Sequence, residues 1–404
     1  MFNKSSLVLL LVIPALVAPL IPERIVLSIL LITLISFSAL RRIRLAVTDV
    51  DDETSFFNTL LFTSIMYFTT FFGVPESIVI AAMFIVTAHE IRGGSLRNIL
   101  VFTVFGFFYF FYYSYVTSEI ISFDTLFFLS LTGGLTAALI ESIDVRSDKR
   151  ATMAIAVATV YLVFHIYSFN VQTIDLAIAF TVAFLLSLAA MKSGIADESG
   201  LMSATLVGTL VIVFNDIRFF LILISFYLVG SISTKYRYSI KFERGVAEPA
   251  GGARGYSNVF GNSLAPLFFA MSYGAYKEPF FLVSFVASVA AALGDTMASE
   301  IGKTSENVYL ITNLEKVEPG MSGGISVKGE LAALTGSFIV VLLSFSLQMI
   351  NLQYALVALV SGFIAVHVDS ILGATAEEKG YLTNSGVNFF GTLSSGLFCY
   401  LFLM

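Results

Sequence analysis

Three segments hold the acidic, basic and amide side chains that an apolar chain has least reason to carry. ALGDTMASEIGK (292–303) closes a hydrophobic run with Asp295 and Glu300. Carboxylates near membrane depth are costly and usually functional. Hard cations such as Mg2+ take carboxylate and hydroxyl oxygens, so Asp295, Glu300 and the nearby Ser299 are candidate ligands. Asp295 and Ser299 are four apart and share a helix face, whereas Asp295 and Glu300 are five apart and point about 140° away from each other on an ideal helix. AGGARGYSNVFGNS (250–263) sets Arg254, Asn258 and Asn262 at intervals of four, a polar stripe at the start of an apolar helix. An arginine there can grip phosphate through two hydrogen bonds, and the helix N-terminus favours an anion. HVDSILGATAEEKGYLTNSGVNFFGTL (367–393) repeats the pattern: Asp369 ends one apolar run, and Asn384 and Asn388 begin the next.

A fourth segment, VEPGMSGGISVKGE (317–330), has four glycines in fourteen positions, with Lys316 just before it and Lys328 within it. Gly320, Gly323 and Gly324 allow the backbone, with Ser322 among them, to turn its N–H groups toward an anion. The two lysines can neutralise phosphate charge. The segment is not a Walker loop, because no GxxxxGK[ST] pattern occurs. It reads as a flexible part of a loop spanning 295–330.

These segments belong to a chain of 404 residues that is 57% hydrophobic and 12% charged, with a mean hydropathy of +0.90. Soluble domains carry about 25% charged residues, so the composition gives an all-α polytopic membrane protein. The net charge of −6 and the lack of a basic patch exclude a nucleic-acid partner. The single cysteine, Cys399, rules out a disulfide framework, and His89, His165 and His367 are too scattered for a zinc motif.

About fifteen transmembrane helices are expected, from about 6–22 to 386–403, several shorter than the roughly 20 residues of a perpendicular span. With the N-terminus inside and the stretches alternating, all but Arg24, Arg218 and Lys277 of the 22 lysines and arginines fall on the cytoplasmic side. That bias supports an N-in, C-out arrangement and places all four polar segments at the cytoplasmic face. GGLTAALIESI (133–143) and SGFIAVHVDSI (361–371) share an acidic-Ser-Ile ending, which suggests a parallel internal repeat.

Taken in order and spacing, GARGYSNVFGN, ALGDTMASEIG, EPGMSGGISVKGELAALTGS, and DSILGA followed by TNSGVNFFGTL resemble a membrane family long catalogued as domain of unknown function ninety-two. Its plant members include the phytyl-phosphate kinase of tocopherol synthesis. The resemblance covers about 174–404, a C-terminal catalytic half. The N-terminal half, 1–170, is less familiar, although ALIESIDVRSDKRATM is similar to phytol and dolichol kinases. The resemblance implies transfer of a phosphoryl group from a nucleoside triphosphate, CTP or ATP, to an isoprenoid monophosphate. Arg254, Asp295 and Asp369 would then be catalytic, with Asp295, Glu300 and Asp369 on Mg2+. The remaining polar residues and the glycine segment would bind the substrates. A CTP-dependent cytidylyltransferase making a CDP-lipid would need a similar ligand set. A transporter would place its charges near the bilayer midplane, whereas here they gather at one rim.

Overall fold

The computed structural model describes residues 10–39, 50–91, 93–144, 148–168, 171–248 and 253–404. Lys4, Arg41, Arg42, Arg44, Arg92 and Arg146, together with Ala250, Gly251 and Gly252 of the arginine segment, lie outside these residues. The described chain is almost entirely helical. All fifteen apolar stretches contain helix, and among the described residues ten helices are long and apolar enough to cross a membrane. The chain divides into two compact units, Met1–Ala177 and Ile178–Met404.

The first unit contains α1 (Val12–Val17), α2 (Glu23–Ala39), α3 (Val50–Phe68), α4 (Glu76–Val86), α5 (Ser95–Thr117), α6 (Phe123–Ser142), α7 (Lys149–Tyr167) and the start of α8 (Thr173–Lys192). Every residue of α4 is buried, so this short helix forms the core. Gly134 lets α5 and α6 touch: a Cβ there would lie 2.7 Å from the backbone nitrogen of Thr103.

The second unit continues with α9 (Glu198–Phe214), α10 (Ile217–Lys235), the short α11 (Tyr238–Glu243), α12 (Tyr256–Tyr276), α13 (Pro279–Gly302), α14 (Val327–Ser346), α15 (Leu352–Leu372) and α16 (Asn384–Leu403). At its centre is α13, packed against α10, α12, α14, α15 and α16. Small residues make this possible. A Cβ at Gly336 of α14 would lie 2.8 Å from the carbonyl oxygen of Leu293, and one at Gly362 of α15 would lie 2.9 Å from that of Ala287. Membrane helices gain most of their association from such close van der Waals approach, since lipid offers little hydrophobic drive. The 21-residue α12 is not among the ten spans, because the serines and asparagines of its first turns dilute its apolar character.

Two local expectations are corrected. The run containing Asp295 does not end there: α13 continues to Gly302, so the loop is 303–326 rather than 295–330. The polar residues of the last two turns stay helical because they face a cavity and buried lysines. The glycine segment is also not a plain flexible loop. It joins two strands of a small antiparallel sheet in the order β2-β1-β3, formed by β1 (Val308–Leu310), β2 (Lys316–Val317) and β3 (Gly324–Ile325). Tyr309 pairs with Lys316 on one side and with Ile325 on the other. β3 then runs straight into α14, whose N-cap Ser326 accepts a hydrogen bond from the Gly329 N–H at 3.1 Å.

Candidate active site

The ends of α12, α13, α15 and α16 and the sheet-bearing loop enclose a cavity of about 530 Å³ within the second unit. Arg254 reaches it from the residues just before α12. Its backbone is fixed first. The Arg254 N–H donates to the Ile195 carbonyl at 2.8 Å, and the Asp197 N–H donates to the Arg254 carbonyl at 3.2 Å. Asp197 caps α9 through the Gly200 N–H at 2.8 Å, and the Ser199 hydroxyl both donates to Asp197 at 2.7 Å and accepts from the Tyr256 N–H at 3.0 Å. Gly230 leaves room for the guanidinium, since a Cβ there would lie 2.8 Å from its Nη2.

The Arg254 side chain is 7% exposed and lies 5.2 Å above the Phe226 ring. Its side-chain hydrogen-bond partner is the Asn258 Oδ1, at a long 3.4 Å, and among the described residues no carboxylate pairs with it. Burial pulls its pKa below the ordinary arginine value, against the opposing pull of Tyr227, Glu300 and Glu248. A buried cation without a paired anion is expensive unless a ligand supplies the charge.

Asp295 and Asp369 face one another across α13 and α15, within hydrogen-bonding reach. Gly391 of α16 closes over them, and a Cβ there would lie 2.7 Å from Asp369 Oδ2. Asn262 and Asn388, both buried, complete a small gap around the two carboxyl groups. Ser299 and Asn384 line the main cavity at its exposed side.

The glycine segment forms one wall. Gly320 and Gly323 have φ of +95° and +76°, which other residues rarely adopt. A Cβ at Gly323 would lie 2.4 Å from the Ala374 Cβ, so the segment fits closely against the π-helical turn Gly373–Glu377 that follows α15. The N–H groups of Gly320, Ser322 and Gly323 have no hydrogen-bond acceptor among the described residues.

Glu300 does not join the aspartates. Its two oxygens are taken by the buried Lys241 at 2.5 Å and by Lys303 at 2.8 Å, and Lys303 also donates to Glu248 at 3.0 Å. The five-residue spacing on an unbroken helix turns Glu300 away from Asp295. Among the described residues no three carboxylates or imidazoles gather as a metal-binding group, and Glu300, engaged by the two lysines, stands apart from Asp295 and Asp369. Lys316 and Lys328 also lie off the cavity. Lys316 donates to Asn307 at 2.9 Å, and Lys328 is exposed on the first turn of α14. Lys303 takes the place expected for them. Burial works against its ammonium, but Glu300 and Glu248 outweigh it and hold the pKa above the ordinary value.

The lining carries six carboxylates (Glu248, Asp295, Glu300, Glu330, Asp369 and Glu377) against two cations, Arg254 and Lys303. Lys241 and Lys303 offset Glu300 and Glu248, whereas Asp295 and Asp369 have no lysine or arginine in salt-bridge reach among the described residues. Mg2+ is commonly held by one or two carboxylates together with substrate phosphates, and the Asp295–Asp369 pair with its neighbouring amides fits that role.

Residues 181–396 match the family described as integral membrane protein DUF92. The chain belongs to this family. The matched segment includes every residue placed at the cavity above. Relatives of this chain include an uncharacterised membrane protein of Synechocystis, 32% identical over 212 residues, which are 51% of this chain and 82% of that protein. An uncharacterised membrane protein of Methanocaldococcus jannaschii is 30% identical over 225 residues, 55% of this chain and 92% of its own. The chloroplastic protein VTE6 of Arabidopsis thaliana is 33% identical over 201 residues, 48% of this chain and 60% of its own. No solved structure matches. Lys241, Lys303 and Glu248 had no sequence signal of a role in this DUF92 site. Lone charges in loops look solvated until the fold pairs them.

Proposed function

We propose that this cavity transfers the γ-phosphoryl group of a nucleoside triphosphate, CTP or ATP, to an isoprenoid monophosphate in the membrane. An oxygen of the acceptor phosphate attacks the γ-phosphorus, and the bond from that phosphorus to the bridging β-oxygen breaks. The products are a prenyl diphosphate and a nucleoside diphosphate. The acceptor is already anionic, so no strong general base is required, and catalysis rests on positioning and charge neutralisation.

The observation that carries this reading is the buried Arg254 guanidinium, without a carboxylate partner among the described residues, in the same cavity as the Asp295–Asp369 pair. Arg254 would grip a phosphate through its planar donor fork. The free N–H groups at Gly320, Ser322 and Gly323 would cradle phosphate oxygens of the nucleotide. Ser299, Asn258, Asn384 and Asn388 would orient them, and Lys303 would balance charge at the rim. Asp295 and Asp369 would hold Mg2+, which when bound neutralises the triphosphate and its leaving group. The kinship with the plant VTE6 protein and the resemblance to the phytyl-phosphate kinase family supply the substrate class. The charge bias of the loops supports a cytoplasmic position for the site.

Purified protein incubated with γ-labelled CTP or ATP and a panel of prenyl monophosphates should transfer label to the lipid. Release of pyrophosphate with a CDP-lipid would convert the reading to a cytidylyltransferase. Absence of any nucleotide-dependent change in the lipid would overturn it.

A further inference from the structure

Arg254 lines a second space besides the polar cavity. On its other side lies an apolar pocket of about 80 Å³ between α8, α9, α10 and α12, lined by Leu186, Ala190, Ala204, Gly208, Leu223 and Val259 among others. Apart from Arg254, the Tyr227 and Ser187 side chains are its polar members. The Tyr227 hydroxyl is turned to Ser263 at 2.6 Å, so it offers the pocket an aromatic face. Small residues keep the pocket open: Ala190 on α8, and Ala204 and Gly208 on α9. A Cβ at Gly208 would lie 2.8 Å from the Phe220 ring. Leu186 stands 44% exposed at the rim, so the pocket reaches the apolar outer surface of the helices. Arg254 therefore borders both the polar cavity and an apolar groove.

From this geometry we infer that the groove seats the first part of a branched hydrocarbon tail whose phosphate is held by Arg254, and that Ala204 and Gly208 set what tail fits. The inference rests on the proposed lipid-phosphate substrate and assigns the tail to a place. The charge complementarity is specific. An amphiphile with one anionic head and an apolar tail matches a site where Arg254 borders both spaces, whereas a nucleotide matches only the polar side. Burying each methylene of the tail contributes about 0.8 kcal/mol, so a few carbons in the groove add usefully to the head-group contact. The groove is short and open at Leu186, so the distal tail continues into lipid. Selection therefore acts on the isoprene units nearest the phosphate and not on total chain length.

The test uses the full chain in nanodiscs with geranylgeranyl monophosphate carrying a photoreactive diazirine on the isoprene unit next to the phosphate. Labelled peptides should come from α8 and α9 around Leu186–Ala190 and Ala204–Gly208, and unlabelled geranylgeranyl monophosphate should compete. Ala204→Leu, at a half-buried position facing the groove, should reduce that labelling about tenfold. In turnover it should raise KM for the lipid by a similar factor and leave KM for the nucleotide unchanged. Saturable labelling confined to other helices, or unchanged labelling in Ala204→Leu, would overturn the groove while leaving the kinase reading standing. Labelling that never saturates would overturn both.

Discussion

Arg254 and the two aspartates are held in place by different means, and the difference sets what each substitution should do. Asp295 and Asp369 face one another, and two carboxylates brought this close repel when both are ionised. Asp369→Asn removes that repulsion, so the apo-protein should melt at a higher temperature while phosphoryl transfer is lost. Asp295→Asn should behave alike. A thermal melt beside kcat checks both, and near-normal turnover in either variant would remove the aspartates from the reaction. Arg254→Lys keeps the charge and loses the fork geometry. The loss of transition-state stabilisation should be on the order of 2–4 kcal/mol, or roughly 30- to 1000-fold in kcat. The arginine, its two asparagines and both aspartates were legible from residue type and helical spacing alone. Glu300 was not, because its role depends on Lys241, which lies 59 positions away and is fully buried against it. No local pattern announces an ion pair of that separation.

At the scale of elements, the glycine segment gains its shape from neighbours on both sides. The sheet fixes its two ends, and the turn after α15 fixes its middle. Composition alone suggested mobility, because short strands of two or three residues leave almost no periodic signal. The extension of α13 past Asp295 was hidden for a related reason. Polar residues normally mark the end of an apolar run, and here they continue the helix into a polar chamber. Gly323→Ala should disturb this wall, since an L-residue at φ +76° is strained and the new methyl meets Ala374 and the Ser370 carbonyl. A strained left-handed position costs about 1–2 kcal/mol before any clash. Its KM for nucleotide should rise at least severalfold, with a lower melting temperature. Lys328→Ala, on the exposed first turn of α14, should leave both parameters close to the parent values. Equal effects from the two substitutions would show that the wall does not contact the nucleotide.

For the whole molecule, the apolar pattern marked all fifteen helical stretches but could not decide how many cross the bilayer. Among the described residues ten meet the length and hydropathy of a span, and α1, α2, α4, α9 and α12 do not. Burial explains the ambiguity. A helix enclosed by others, as α4 is, needs neither full length nor a uniformly apolar surface, so hydropathy alone miscounts it. The charge bias is the stronger guide, since it sums over every loop. It predicts that Lys277, between α12 and α13, lies outside and that Lys316, on β2, lies inside. The two flank α13, so their opposite exposure tests whether the candidate active site opens to the cytoplasm. Cysteine introduced at either position can be labelled with a membrane-impermeant maleimide, and the native Cys399 is buried and should stay silent. Lys277→Cys should react in intact cells, whereas Lys316→Cys should react only after permeabilisation. The reverse result would put the cavity on the outer face, away from the cytoplasmic nucleotide pool, and would exclude nucleotide-dependent phosphorylation there whatever the cavity's ligands.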